Sequence, residues 1–549
     1  MSSPLSEDRQ PDSLPALLRQ RAESLPDGIA VRELDGKRRL LTWQEVLDGS
    51  AGWASALAHA GVRPGDFVLT MLPNGGDTLV VWAAISAVGA VEVSVNDAYK
   101  GDWLAHVIRM SGAHTAIVQD RYVERFASLD ESVALKTIVS VDSVDTVPSA
   151  PGMGNVVTLR HLIEEQGGAP EVESGVDDRA IVILTSGTTG RSKGVVTTWG
   201  YWHHRTSGGA LLPPDFLSGA DNHYSRGPSF HIGGRDSFFR AVWHGGTVVT
   251  RERFSPSQWL SDIRAGDCTF TTLIGAMVQM LMATPPQPDD AQNPLRAVMY
   301  GPVGNELDDF RRRFDIEVFT SWGMTECSNP ISSWRYRIAE ENHQSCGVRH
   351  PDRDLRLVDA KGTAVGPGEI GELLVQDDRV LHRMAVGYLN DELATDTAWR
   401  DGWFHTGDAF RRDVEGRYYF VDRLKDTIRR RGENISSFEV EAAVCKFPGV
   451  AEAAAFAVPS PLSEDDVMVS VVPTPDCVVD PESLHRYLQG AMPRFAIPRY
   501  IDIVEQLPKT PTARVQKGLL RERGVTSSTW DAELVVRVTP TGRPSSLKP

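Results

Sequence analysis

Apolar positions between residues 41 and 59 fall at helical spacing: Trp43, Val46, Leu47, Trp53 and Leu57 share one face, and Gly61 and Pro64 end the run. Phe67–Met71 then reads as a strand, residues 78–90 as an apolar helix and residues 91–95 as a second strand. Helix and strand in alternation predict α/β layering. Residues 180–184 form a short apolar run ending directly in a loop of Gly, Thr and Ser, the form of a buried strand delivering a loop to a site. A second alternating region runs from Phe238 to about Trp322, Gly366-Pro-Gly followed by residues 370–375 reads as a hairpin, and residues 418–422 read as a strand. The text then turns strongly basic over 423–431, and short helix and strand elements continue to about Arg521. A boundary therefore falls near Lys425. The predicted fold class is α/β: a large N-terminal domain of several α/β subdomains over 1–424, a small α+β C-terminal domain over 425–523, and a tail over 524–549. Residues 1–27 are rich in Pro and Ser and predict a segment wrapped on the surface.

Composition narrows the function classes. The 549 residues exceed one ordinary domain and can bury large cores. A content of 41% hydrophobic and 24% charged residues is that of a soluble globular enzyme. The net charge of −16 argues against nonspecific binding to nucleic acid or to anionic membranes. An anionic substrate would need a locally built site of backbone amides, a few cations or a metal. The five cysteines are scattered, with no CxxC pair and no zinc-ligand spacing, which points to a reducing compartment. The polar start carries no apolar signal core, and no apolar run approaches the ~18 residues of a membrane span. A cytoplasmic protein, monomeric or homodimeric, is expected.

The loop after the 180–184 run carries the chemistry. Thr185-Ser-Gly-Thr-Thr-Gly-Arg-Ser-Lys-Gly194 combines three glycines with hydroxyls and two cations. Glycines let backbone N–H groups approach phosphate oxygens, hydroxyls add donors, and Arg191 and Lys193 add charge. The spacing is not that of a Walker loop, which needs Gly-Lys-Ser/Thr five residues after its first Gly. An ordinary surface loop is the plain alternative. This segment resembles the signature of the adenylate-forming superfamily: acyl-CoA and aryl-CoA ligases, adenylation domains of nonribosomal peptide synthetases, and firefly luciferase. The resemblance spans roughly residues 15–522, with further motifs in the same order.

The resemblance implies roles for particular residues. Thr185, Ser186, Gly187, Thr188, Thr189, Gly190 and Lys193 would hold ATP phosphates. Pro228-Ser-Phe-His-Ile-Gly-Gly234 is similar to the segment beside the acyl pocket, which puts His231 near the reacting carboxylate or the pantetheine tunnel; a lone histidine is as readily structural. Adenylation domains for amino acids usually carry Asp where His231 stands, so an amino acid substrate is disfavoured. Tyr300-Gly-Pro-Val-Gly304 resembles the adenine-contacting segment, implicating Gly301, Pro302 and Val303. Thr320-Ser-Trp-Gly-Met-Thr-Glu326 resembles a Tyr-Gly-x-Thr-Glu motif, with Trp322 in place of Tyr. Ser321, Trp322 and Met324 would then border the nucleotide, Gly323 would leave room for the acyl group, Thr325 would bond the α-phosphate, and Glu326 would hold Mg²⁺. In Gly402-Trp-Phe-His-Thr-Gly-Asp408, Asp408 would accept from the ribose hydroxyls. Phe420 and Arg423 would complete the nucleotide site, and Lys425 would be the hinge about which a mobile small domain rotates. Arg431, Gly432 and Glu433 would face CoA. The Ser436-Ser-Phe-Glu-Val-Glu441 wording is nearest the crotonobetaine/carnitine-CoA-ligase-like branch. Lys517 would be the catalytic lysine, although Ala513-Arg514 replaces the usual Gly-Lys before it.

A carboxylate resists attack because of its charge, and a mixed anhydride with AMP supplies a leaving group. The expected reaction is activation of a carboxylic acid by ATP to acyl-AMP, then transfer to the thiol of coenzyme A. Loading of a separate carrier protein and a non-adenylating thioester-forming paralogue are the alternatives. The acid pocket, from His231, Gly301 and Gly323, suggests a hydrophobic acid: aryl, medium-chain or polycyclic.

Overall fold

Ala180, Ile181, Val182 and Ile183 are all buried, so the apolar run expected at 180–184 is a central strand, Arg179–Thr185, covered on both faces. The computed structural model describes residues 13–533 apart from 128, 130–132, 134, 143–154, 159–171, 186–191, 208–211, 214–215, 302, 304–305, 334–343, 425, 427, 431–432, 461–464, 493, 495 and 511–513. Contacts divide the chain into two compact units. The first holds residues up to Leu355, Leu374–His405 and Val414–Tyr419; the second holds Arg356–Leu373, Thr406–Asp413 and everything from Phe420.

Two large sheets organise the first unit. One runs, in order, Glu317–Phe319, Ala297–Gly301, Phe270–Ile274, Asn222–Ser225, Thr247–Thr250, Ile29–Glu33 and Leu40–Thr42; its neighbours are parallel except for the last pair. The other runs Gly387–Tyr388, Lys193–Thr198, Arg179–Thr185, Val91–Ser94, Phe67–Met71, Thr115–Val118, Thr137–Ser140 and Asn155–Thr158, parallel from the third strand onward. The strand Phe67–Met71 has its expected bounds. The helix expected at 41–59 begins at Trp43, because Thr42 closes a capping box: its hydroxyl accepts from Glu45 N at 3.1 Å and its own N–H donates to Glu45 Oε2 at 2.8 Å. The apolar helix is Gly76–Ala87.

Residues 14–24 are a correction to the surface-wrapping expectation. They form the helix Leu14–Ser24, with Leu14, Leu17, Leu18 and Ala22 buried. Those positions follow the helical period, and burial of that stripe outweighs the Pro- and Ser-rich composition around it.

Between the sheets lies an aromatic core. Trp82 stacks on Trp199 at 5.7 Å and meets Trp202 edge-on at 5.3 Å. Arg235 sits 5.0 Å over the Trp82 ring and pairs with Glu92 at 2.7 Å, both side chains being almost fully buried. The same guanidinium donates to Ser94 Oγ at 3.0 Å and to the carbonyls of Ser229 and Thr78, while Thr70 donates to Glu92. Burial pushes Glu92 upward despite the opposing pull of Arg235 and Thr70.

The second unit contains a four-stranded sheet, Val450–Pro459, Asp465–Pro473, Tyr500–Ile503 and Trp530–Asp531. Helices Ser437–Val444 and Pro481–Ala491 cover it through Val440, Val444, Leu484 and Leu488. Trp530–Asp531 extends the sheet, so the chain beyond Gly524 begins as structure. Among the described residues, no helix is long and apolar enough to cross a membrane.

The buried pair generates a stability prediction. Arg235→Met leaves an uncompensated carboxylate and should cost about 3–5 kcal/mol, read as a shift of the urea midpoint, with Glu92→Gln in the same chain restoring part of the loss. A cost below about 1 kcal/mol would show that Glu92 finds other solvation.

Candidate active site

Thr185 closes its strand in register with Lys193, and its hydroxyl reaches the Lys193 carbonyl at 3.5 Å. The two stems of the phosphate loop are thus an antiparallel ladder. Ser192, at the second stem, is buried with its Oγ 2.7 Å from the Tyr99 hydroxyl, and His106 Nε2 lies 2.9 Å from its carbonyl oxygen. Ser186, Gly187, Thr188, Thr189, Gly190 and Arg191 lie outside the described residues, as do Pro302, Gly304, Lys425, Arg431, Gly432 and Ala513.

Thr325 and Glu326 occupy the turn between the strands Ser321–Met324 and Ser328–Ser332. The Glu326 carboxylate is buried and accepts from the Tyr388 hydroxyl at 3.0 Å. Lys193 Nζ stands 4.6 Å from the centroid of the same Tyr388 ring. Tyr388 therefore ties the stem of the phosphate loop to the expected metal-binding carboxylate. Two backbone bonds hold the turn: Tyr201 donates to the Thr325 carbonyl at 3.0 Å, and Ala385 N to the Glu326 carbonyl at 2.9 Å. Burial pushes the Tyr201 phenol upward, so it stays a donor. Trp322 and Met324 pack on the cluster of Cys327, Met384 and Trp399.

Gly301 and Gly323 have a backbone reason to be glycine. A Cβ on Gly323 would stand 2.1 Å from the Ser328 carbonyl oxygen, and one on Gly301 would stand 3.1 Å from the Ser321 carbonyl oxygen. Part of the space expected for an acyl group at Gly323 is filled by the hairpin itself. Val303 is buried beyond Gly301.

His231 is the N-cap residue of the helix Ile232–His244, half-buried, with its ring 4.9 Å from Phe230. Asp236 on that helix takes two arginines, Arg205 at 3.1 Å and Arg240. Arg205 also donates to Ser328 Oγ at 3.3 Å and to Asn329. The helix behind His231 and the hairpin that carries Thr325 and Glu326 are therefore braced by one buried guanidinium.

In the second unit, Gly407 turns the chain at φ +68°, and the Thr406 hydroxyl accepts from Asp408 N at 3.1 Å. The Asp408 carboxylate is buried and pairs with Arg423 Nε at 2.7 Å, which joins two expected nucleotide residues. Phe420 packs edge-on against Phe410 at 5.5 Å. Glu433 lies on the short strand Glu433–Ile435. Lys517 opens the helix Lys517–Arg523; its ammonium is 2.7 Å from Glu441 Oε1 and donates to Ser437 Oγ. Ser437 in turn donates to Asp422 Oδ2 at 2.6 Å. Burial pushes Glu441 upward, with Lys517 opposing. Tyr388, Ser437 and Glu441 had no role in the sequence reading. A motif shows a tyrosine or a serine, and its partner appears only in space.

The AMP-binding enzyme family matches residues 18–389, and its C-terminal domain matches residues 439–514. The chain belongs to this adenylate-forming family. It is 30% identical to a feruloyl-CoA synthase of Amycolatopsis over 92% of its own length and 97% of that protein's. It is 28% identical to a crotonobetaine/carnitine–CoA ligase of Proteus mirabilis, over 88% and 93% of the two chains. The resemblance to the carnitine branch is thus shared with an aryl-CoA synthase. The o-succinylbenzoate CoA synthetase of Bacillus subtilis superposes with a TM-score of 0.78 at 26% identity, over 93% and 98% of the two chains, in its complex with the acyl-adenylate intermediate. The same synthetase has been solved with ATP and magnesium ion, again with a TM-score of 0.78.

Tyr388→Phe keeps the ring under Lys193 and removes the donor to Glu326. A hydrogen bond to a charged group is worth about 1.5–3 kcal/mol, so kcat/KM for ATP in this enzyme should fall about 10-fold or more with the melting temperature little changed. Unchanged ATP kinetics would show that Tyr388 has no part in holding Glu326.

Proposed function

We propose the following division of labour for an enzyme that joins a small carboxylic acid to coenzyme A at the expense of ATP. It is an AMP-forming acid–thiol ligase: the acid and ATP give acyl-AMP and pyrophosphate, and the CoA thiol then displaces AMP. The observation that carries the assignment of roles is the Glu326–Tyr388–Lys193 array, which sets the Thr-Glu carboxylate beside the stem of the phosphate loop.

The donor set at Glu326 fits a magnesium ion. Mg²⁺ prefers one or two carboxylates together with phosphate oxygens and water over an all-protein cage. Glu326 offers one buried carboxylate beside the stem of the loop at Lys193, where phosphate oxygens and water would complete the set. Bound there, Mg²⁺ would neutralise charge on the triphosphate. The chain's own groups do the rest. Lys193 and the amides of 186–190 receive phosphate oxygens, and Thr325 donates to the α-phosphate. Asp408, oriented by Arg423, accepts from the ribose hydroxyls. Trp322 offers an aromatic face to adenine. Lys517 supplies an ammonium to the charge developing at phosphorus during adenylation.

Acid activation and thioester formation make different demands, and the family's device is rotation of the small domain. Lys425 is the proposed pivot, with 425–523 as the moving domain and Arg431, Gly432 and Glu433 facing CoA afterwards. The acid is proposed to have a hydrophobic body, aryl, medium-chain or polycyclic, in keeping with the aromatic acids of the feruloyl and succinylbenzoate relatives. The cytoplasm is the proposed setting.

Lys517→Ala should lower acyl-AMP formation by on the order of 10²–10³, the usual worth of one placed electrostatic donor, measured as pyrophosphate exchange. Transfer of a supplied acyl-AMP to CoA should persist near the wild-type rate. Equal loss of both half-reactions would overturn the assignment of Lys517 to adenylation.

A further inference from the structure

Guanidinium groups are costly to bury without a counter-charge. Three arginines packed around the helix Ile232–His244 follow that rule: Arg235 meets Glu92, and Arg205 and Arg240 share Asp236. Arg226, packed at the start of the same helix but partly exposed, has no such partner among the described residues. It directly follows the strand Asn222–Ser225, at the carboxyl end of a parallel sheet, where open α/β sheets bind ligands. Its described polar partners are neutral: Thr272 Oγ1 at 3.3 Å and the Gly227 carbonyl at 3.2 Å. Among the described residues, no carboxylate lies within ion-pair distance of it.

The position of Arg226 is built. Gly233, in the first turn of the helix, lies against the guanidinium: a Cβ there would stand 2.6 Å from Arg226 Nη2. Thr272 sits on the strand Phe270–Ile274, whose last residue is in register with Gly301. Arg226 therefore lies on the same sheet edge as Gly301, five residues before His231. Burial pushes its guanidinium down to about 10, with the more distant Asp236 opposing. It remains a cation at neutral pH, partly exposed on this edge.

We infer that Arg226 is a specificity-determining residue that selects carboxylic acids bearing a second carboxylate away from the one being activated. The inference rests on the reading above that the 228–234 segment borders the acyl pocket. A fixed cation clamped on the reacting carboxylate would stabilise ground state and transition state alike and gain no rate. On a remote carboxylate, the same cation binds and orients the acid while leaving the nucleophile unencumbered. A planar guanidinium suits such a group, which it meets with two parallel hydrogen bonds. An acid with a cationic end would be rejected by the same charge.

The test uses the full-length enzyme, ATP, CoA and matched acids that differ by one carboxylate: benzoylpropionate with o-succinylbenzoate, benzoate with terephthalate, and pentanoate with adipate. The wild type should favour the dicarboxylate of at least one pair in kcat/KM for AMP release. Arg226→Met should reverse that preference, lowering kcat/KM for the dicarboxylate by on the order of 10²-fold, chiefly through KM, while the monocarboxylate holds or improves. Arg226→Lys should retain part of the preference. The KM for ATP and the melting temperature of each variant show that the nucleotide site and the fold persist. An unchanged dicarboxylate preference in Arg226→Met, or an equal loss on both members of a pair, would overturn the inference while leaving the ligase reading intact. Absence of AMP release from the wild type with every acid would overturn the ligase reading and the inference with it.

Discussion

A guanidinium sealed against a carboxylate, Arg235 on Glu92, holds the large unit's two sheets to one another. Glu92 belongs to the strand Val91–Ser94 of one sheet, and Arg235 to the helix that follows the strand Asn222–Ser225 of the other. Phe238, Phe239 and Val242 bury the apolar face of the helix Ile232–His244, and the ion pair adds a directional contact to that packing. A buried ion pair with further bonds to Ser94, Ser229 and Thr78 has one satisfied geometry. Such a pair adds less to stability than it does to uniqueness, because desolvation offsets most of its Coulomb energy.

Everything placed by that helix inherits its register. His231 caps it, Gly233 meets Arg226, and Asp236 passes the constraint through Arg205 to Ser328 and Asn329. The Thr325–Glu326 turn therefore stands on a chain of charged contacts that begins at Glu92. Tyr388 closes the arrangement from the other sheet, where the strand Gly387–Tyr388 pairs with Lys193–Thr198. A site that must receive a triphosphate gains from donors and acceptors fixed beforehand, because no reorganisation is then needed as charge develops.

Of the site expected from short motifs whose chemistry fixes residue type, the structure describes Thr325-Glu326, Asp408 and Lys517, each with buried or charged partners, while 186–191 of the Gly/Thr/Ser loop lie outside the described residues. The strands were legible where burial on both faces forces a continuous apolar run, as at Phe67–Met71 and Arg179–Thr185. The helix Leu14–Ser24 was not, because composition masked a stripe that four buried residues define. Tyr388 and Arg226 were illegible for a different reason. A tyrosine after a glycine is unremarkable until Glu326, more than sixty residues earlier, is found at its hydroxyl. An arginine before Gly-Pro looks like a surface charge until its neighbours prove to be Thr272 and Gly233. The glycine at 323 suggests room for a ligand, and the Ser328 carbonyl gives a backbone reason for it that only the structure shows.

Lys517 sets a separate condition on the chemistry. In this structure its ammonium is satisfied within the second unit, by Glu441 and by a Ser437 hydroxyl that Asp422 orients. A lysine so held is no idle group waiting for substrate. In the proposed adenylation step it would exchange these partners for a site that offers more negative charge than one carboxylate and a hydroxyl, and a triphosphate is such a site. Such a departure would also leave Glu441 in a setting where burial already opposes its ionised form. Both ends of the proposed exchange therefore favour the pairing of Lys517 with Glu441 while no nucleotide is bound. That condition follows from the local electrostatics of Asp422, Ser437 and Glu441, and it is independent of which acid the large unit selects.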